Sequence, residues 1–316
     1  MAETAEERGA GTARRWRPVI RGLRVASWVA LAVVTGLLVR AEGQRPDQPP
    51  GIQVSSNLVY HEAGDPVPRL DLYAPRAPEP GAGRPAIIAI HGGGWRGGSK
   101  DDYGRSLMRL AEHGYVVAAI DYRLSRPGAP SWPANFEDVR EAVRWLRRHA
   151  KQYGVDPGRI AALGASAGGH LAALLGTCPD DAARVQAVID FYGPTDLRAL
   201  YASRKRTTTS LTLLLGGRPD ECPARYESAS PIHHVSADDP PMLLIHGGDD
   251  ALVPLGQSRA LADALARAGV PHRLIVIENA RHGFGLEVQG RDLLPEILAF
   301  LDSAWKGSPG QPTPGN

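Results

Sequence analysis

The pentapeptide Gly164-Ala165-Ser166-Ala167-Gly168 constrains the fold more than any other stretch of this chain. It follows the short apolar run Arg159–Leu163, which has the length of a strand, and it opens Ala167–Leu175, which reads as a buried helix. A strand that turns directly into a helix leaves little room at the bend. The flanking positions must then be small, and the residue at the tip projects alone. Ser166 occupies that tip. Five small residues could also close a phosphate-binding turn; the strand before and the helix after favour the first reading, and partners elsewhere in the chain favour it further.

Around this bend, strand-like and helix-like segments alternate. Val67–Tyr73 alternates apolar and polar residues as a half-buried strand does, whereas Ala86–Ile90 and Tyr115–Ile120 are continuous apolar runs of the kind buried on both faces. Leu107–His113, ending at Gly114, and Phe136–Tyr153, ending at Gly154, have helical spacing. Val185–Phe191, Met242–Ile245 and Arg273–Ile277 read as further strands, and Leu261–Ala268 and Leu293–Trp305 as further helices. Such alternation predicts right-handed crossovers and an α/β fold with a mostly parallel central sheet flanked by helices. The stretch 195–240 is long for a plain connection and is expected to form a small lid over the substrate site.

The ends differ from this middle. A basic segment from Arg14 to Arg24 precedes Val25–Val39, a run of 15 uncharged residues. A membrane span needs about 18–20, so the run suits a secretory signal better, and Val39 and Ala41 suit a cleavage site. The expectation is that 1–41 is a signal peptide or a membrane anchor, with the mature protein exported. Residues 42–51 read as a linker, 52–306 as the folded domain and 307–316 as a disordered tail. The net charge of +2 is too small to call for a nucleic-acid partner, and a membrane partner is expected only if 25–39 acts as an uncleaved anchor. Cys178 and Cys222 lack the paired spacing of a zinc site; in an exported protein they could form one disulfide.

If Ser166 is a nucleophile, it needs donors for the developing oxyanion, a base, and a group that orients the base. His91-Gly92-Gly93-Gly94-Trp95 follows the strand Ala86–Ile90, and its glycines allow the backbone to approach an oxyanion. The expected donors are the N–H groups of Gly93, Gly94 and Ala167. Of the ten histidines, His282 lies just beyond the strand ending at Ile277, as the chain order Ser…Asp…His requires. His91, His170 and His246 flank motifs and are expected to hold loops together. The acid should follow Met242–Ile245, where Asp249 and Asp250 are adjacent. Chemistry alone leaves both open, one as the acid and the other as a turn residue.

These motifs resemble those of bacterial carboxylesterases allied to the hormone-sensitive-lipase-type enzymes and to the acetyl and feruloyl esterases of polysaccharide breakdown. The likeness rests on His91–Trp95, Asp121-Tyr122-Arg123-Leu124, Val143–Leu146, Gly164–His170, Tyr192–Asp196, Ser230-Pro231, His246–Pro254 and His282-Gly283-Phe284. It implies the α/β-hydrolase fold and assigns the acid to Asp250, which stands four residues after the loop histidine and before a Val-Pro pair. Ala165 replaces the Asp usual in the hormone-sensitive-lipase branch, while Trp95 and Gly169-His170 look closer to the acetyl/feruloyl branch. The expectation is a serine carboxylesterase using Ser166, His282 and Asp250 on short acyl esters, free or linked to polysaccharide, with no metal or organic cofactor required. Two rival readings share the fold: an amidase, formamidase or serine peptidase with the same three residues, and an inactive hydrolase-fold binding protein.

Overall fold

The computed structural model describes residues 51–306 apart from 65, 77–80, 82, 179 and 204–206. The expectations of a leader or anchor and a linker before residue 51, and of a disordered tail after 306, fall outside the described residues. Among the described residues no helix is long and apolar enough to cross a membrane.

Eight strands form one sheet in the order β1-β2-β4-β3-β5-β6-β7-β8. They are β1 (Ile52–Val59), β2 (Arg69–Pro75), β3 (Arg84–Ile90), β4 (Val116–Ile120), β5 (Val155–Ala165), β6 (Ala187–Phe191), β7 (Met242–Gly247) and β8 (His272–Ile277). The two pairings that involve β2 are antiparallel, and β4-β3-β5-β6-β7-β8 are parallel. This is the expected α/β fold with a mostly parallel sheet.

Residues on a strand alternate between faces, and the core divides accordingly. Ile88 and Ile90 pack on one face with α2 (Ala134–Arg148), α4 (Ala167–Thr177) and α8 (Gly256–Ala268), through Val139, Val143, Leu171 and Leu261. Ile87 and Ala89 pack on the other with α1 (Arg105–Glu112) and α9 (Leu294–Lys306), through Leu107, Leu110, Ile297 and Leu301. Ala86 to Ile90 of β3 are all fully buried, which is why that part of the strand reads as unbroken apolar sequence.

Several details depart from expectation. The helix expected over Phe136–Tyr153 begins at Ala134 and breaks at His149, leaving α3 (Ala150–Tyr153) as a separate turn. The His149 Nδ1–H bonds the Trp145 carbonyl at 2.8 Å and satisfies an acceptor at that break. β1 was not expected, because its pattern is mostly exposed or half-exposed and its ladder to β2 shifts register between Ser55 and Leu58. A small hairpin, β9 (Glu287–Val288) and β10 (Arg291–Asp292), also escaped notice. Its turn residues, Gln289 and Gly290, both have positive φ, as a tight two-residue turn requires. The connection from β6 to β7 carries α5 (Leu197–Ala202), α6 (Thr208–Leu215) and α7 (Pro223–Ser228), so 195–240 has structure of its own.

A partly buried ion pair anchors the loop after β4 to α2. The fully buried Asp138 carboxylate accepts from Arg123 Nη2 at 2.6 Å, Arg123 Nε at 2.8 Å and the Arg123 backbone N–H at 2.8 Å, and His61 Nδ1 lies 2.8 Å away. Removing one partner of such a pair strands the other. Asp138→Ala is expected to lose about 3 kcal/mol of stability in urea unfolding. Asp138→Ala with Arg123→Ala should lose less than the two single substitutions summed.

Candidate active site

Because β3, β5, β7 and β8 are parallel, their C-terminal ends share one edge of the sheet, where open α/β sheets place their ligands. The loops leaving that edge carry the sequence's candidate residues. His91–Trp95 follows β3, Ser166 follows β5, Asp250 follows β7 and His282 follows β8.

Ser166 caps α4 at φ 57° and ψ −118°, a region that costs a residue with a side chain roughly 1–3 kcal/mol. The surroundings hold it there. Its N–H donates to the Phe191 carbonyl at 2.8 Å, and its carbonyl accepts from His170 N at 3.0 Å. The flanking glycines are required by close approach. A Cβ on Gly164 would lie 2.1 Å from the Gly168 carbonyl oxygen, and one on Gly168 would lie 1.9 Å from the Ile90 oxygen.

Ser166, His282 and Asp250 form one hydrogen-bonded chain. Ser166 Oγ lies 2.8 Å from His282 Nε2, and His282 Nδ1 lies 2.6 Å from Asp250 Oδ2. The other carboxylate oxygen accepts from the backbone N–H groups of Leu252 and Val253, each at 2.8 Å. His246 Nε2 stands 3.4 Å from Oδ2. Burial alone would raise the Asp250 pKa, but the hydrogen bonds from His246, His282 and Val253 outweigh it and hold the carboxyl well below its ordinary value. Asp249 is exposed in the turn after β7, and its N–H donates to the Ala280 carbonyl at 3.0 Å in the loop after β8.

The glycine loop lies against this chain. A Cβ on Gly92 would be 3.5 Å from that of Ser166. Gly93 has φ 101° and Gly94 has φ 60°, and a Cβ on Gly93 would fall 2.1 Å from the Gly97 carbonyl oxygen. The Gly93 carbonyl accepts from the N–H groups of Arg96 and Gly97, which fixes the turn. Beneath it the buried His91 ring stacks on Tyr122 at 4.2 Å, and the Tyr122 hydroxyl donates to the His91 carbonyl at 3.0 Å. The N–H groups of Gly93, Gly94 and Ala167 donate to no acceptor among the described residues.

The sequence reading assigned no role to Tyr192. Its ring lies 4.6 Å from that of His282, its N–H donates to the Ile245 carbonyl at 2.8 Å, and its hydroxyl donates to the Phe284 carbonyl. It therefore braces the histidine loop from β6, and nothing in its local sequence signals that. His246 does hold a loop: it is fully buried, with Nε2–H directed at the Val253 carbonyl at 2.9 Å and Nδ1 at Ser258 Oγ at 2.6 Å. Cys178 and Cys222 are free thiols, not the disulfide that export would have allowed. Among the described residues no three His, Cys, Asp or Glu side chains converge as a metal site would.

Comparison with known proteins identifies the family. Residues 70–265 match the sequence model of the BD-FAE family. The probable carboxylic ester hydrolase LipM of Mycobacterium tuberculosis is 38% identical over 57% of this chain and 44% of its own length. Esterase LipQ of the same organism is 34% identical over 73% of this chain and 58% of its own. The chain thus spans about half the length of these relatives. Among solved structures, a truncated carbohydrate esterase from gut microbiota superposes with a TM-score of 0.73 at 28% identity, covering 83% of this chain and 100% of that one. An acetyl ester-xyloside bifunctional hydrolase from Caldicellulosiruptor lactoaceticus superposes with a TM-score of 0.65 at 30% identity, covering 77% and 90%. With its doubly flanked sheet and the family match over most of the folded region, this chain belongs to the BD-FAE family and has the α/β-hydrolase fold.

Proposed function

We propose that this protein is a serine carboxylesterase that hydrolyses short-chain acyl esters. The observation that carries the reading is the chain Ser166–His282–Asp250, with 2.8 and 2.6 Å links, lying beside a glycine loop whose N–H groups are free among the described residues. In the reaction, Ser166 Oγ attacks the ester carbonyl carbon while His282 Nε2 takes the hydroxyl proton. Asp250 accepts from Nδ1–H, which keeps the lone pair on Nε2 and stabilises the imidazolium as it forms. The carbonyl oxygen becomes an oxyanion held by the N–H groups of Gly93, Gly94 and Ala167. Its collapse expels the alcohol, to which His282 returns the proton. Water then adds to the acyl-enzyme by the same route and releases the acid.

The inserted segment 195–240 serves as a lid on the substrate side. Acetyl or aromatic acyl groups on polysaccharide are the favoured substrates, since two similar structures are named as a carbohydrate esterase and an acetyl ester-xyloside hydrolase. The support for an ester rather than an amide is likewise the names of the relatives, which are ester hydrolases.

Ser166→Ala should reduce p-nitrophenyl acetate turnover by on the order of 10⁶ in kcat, and Asp250→Asn by about 10⁴. An aminopeptidase substrate turned over faster than the ester would transfer the reading to amide cleavage. Retained ester turnover in Ser166→Ala would end it.

The depressed Asp250 pKa also links to stability. A group ionised more readily in the folded chain stabilises above its unfolded pKa of about 3.9, and that contribution disappears as pH falls through the folded value. Between pH 7 and 3 the wild-type Tm should therefore fall further than that of Asp250→Asn.

A further inference from the structure

Trp95 directly follows the two glycines assigned to the oxyanion, and its side chain is buried. Its indole Nε1–H donates to His170 Nδ1 at 3.1 Å. His170 lies one helical turn after Ser166 on α4 and is fully buried; its Nε2 stands 2.6 Å from the carbonyl oxygen of Ala229. The partners dictate the tautomer. An indole N–H can only donate and a carbonyl can only accept, so Nδ1 carries the lone pair and Nε2 the proton. Burial pushes the His170 pKa down to about 4, in keeping with a neutral ring.

The far end of this bridge lies in the inserted segment. Ala229 closes α7, and the next residue, Ser230, donates its hydroxyl to the Tyr226 carbonyl at 2.6 Å and accepts from Leu197 N at 3.0 Å. The Ala229 carbonyl therefore belongs to a part of the segment tied to both α7 and α5. A second contact reaches the neighbouring glycine. A Cβ on Gly94 would lie 3.2 Å from the Oγ of Ser210 on α6. The inserted segment thus meets the oxyanion loop at two consecutive residues, directly at Gly94 and through His170 at Trp95.

We propose that His170 is a positioning residue. By bridging Trp95 to the Ala229 carbonyl it aligns the Gly93 and Gly94 N–H groups, so the oxyanion hole is complete only when the inserted segment is seated. This rests on the esterase reading. An imidazole suits the task because it accepts at the atom near its own backbone and donates at the opposite ring atom. Asparagine reproduces only the near acceptor, and glutamine only the far donor, so the two halves of the bridge can be removed separately.

The test compares full-length wild type, Trp95→Phe, His170→Gln and His170→Asn, using p-nitrophenyl acetate kinetics and hydrogen exchange of residues 91–98 and 223–234. Trp95→Phe and His170→Gln should each lower kcat by about 10- to 100-fold with KM unchanged, since misaligned donors act on the transition state. His170→Asn, which keeps the acceptor for Trp95 but loses the donor to Ala229, should recover part of that loss and stay below wild type; full recovery would overturn the dependence on the inserted segment. Exchange should rise over 91–98 in Trp95→Phe and His170→Gln, and over 223–234 in His170→Asn. Wild-type kcat in Trp95→Phe and His170→Gln would overturn the proposal. So would a loss that His170→Asn does not relieve and in which KM rises as kcat falls, the pattern of general disruption. If wild type turns over no ester, the esterase reading falls alone and exchange decides the bridge: a rise in both segments upholds it, and no change refutes it.

Discussion

The site depends on a contact with no room for a side chain. Where β5 turns into α4, Gly168 lies so close to the end of β3 that a Cβ would fall 1.9 Å from the Ile90 carbonyl oxygen, and Gly164 is packed as tightly against Gly168. This approach brings two separate pieces of chemistry together. Ser166 projects from the bend, and the glycine loop that follows Ile90 lies beside it. The positive φ of Ser166 is the local cost, and the ladder bond from its N–H to Phe191 and the helix bond to its carbonyl offset it. A sheet of buried parallel strands supports that strain because β3, β5 and β6 cannot shift independently.

Electrostatics at the edge follow from the same arrangement. Asp250 is a buried carboxylate, and burial by itself would favour its protonated form. Two backbone N–H groups, His282 and the nearby His246 keep it ionised, so the negative charge stands behind the imidazole where it fixes the tautomer. Packing supports each element of the chain from outside: Tyr192 on the face of His282, Tyr122 beneath the glycine loop, and His170 between Trp95 and Ala229. None of these supporting groups is a hydrogen-bond partner of Ser166 Oγ among the described residues, yet each limits where a donor or the imidazole can lie.

How far the chain could be read in advance follows physical rules. Strands buried on both faces, such as Ala86–Ile90, were legible because continuous apolar sequence is what such a position demands. β1 was not, because an edge strand packs one face and tolerates polar residues, so its pattern is indistinct. The hairpin at 287–292 depends on a Gln-Gly turn that carries little signal alone. The break at His149 was hidden because the helical period continues across it and a ring-to-carbonyl bond, not a proline or glycine, marks the end. Asp249 and Asp250 were indistinguishable as chemistry. The fold separates them by leaving one in solvent and placing the other behind His282.

Sequence alone determined what local spacing controls: a tight strand-to-helix bend, a glycine loop after a buried strand, and a histidine beyond the last strand of the main sheet. These follow from steric and periodic rules acting over a few residues. Tertiary structure alone decided what the bracing groups attach to. Tyr192 beneath His282, His246 beside Asp250 and His170 joined to Ala229 link residues far apart in the chain. Such partnerships are set by where the crossovers return each strand to the sheet, and no local pattern encodes that distance.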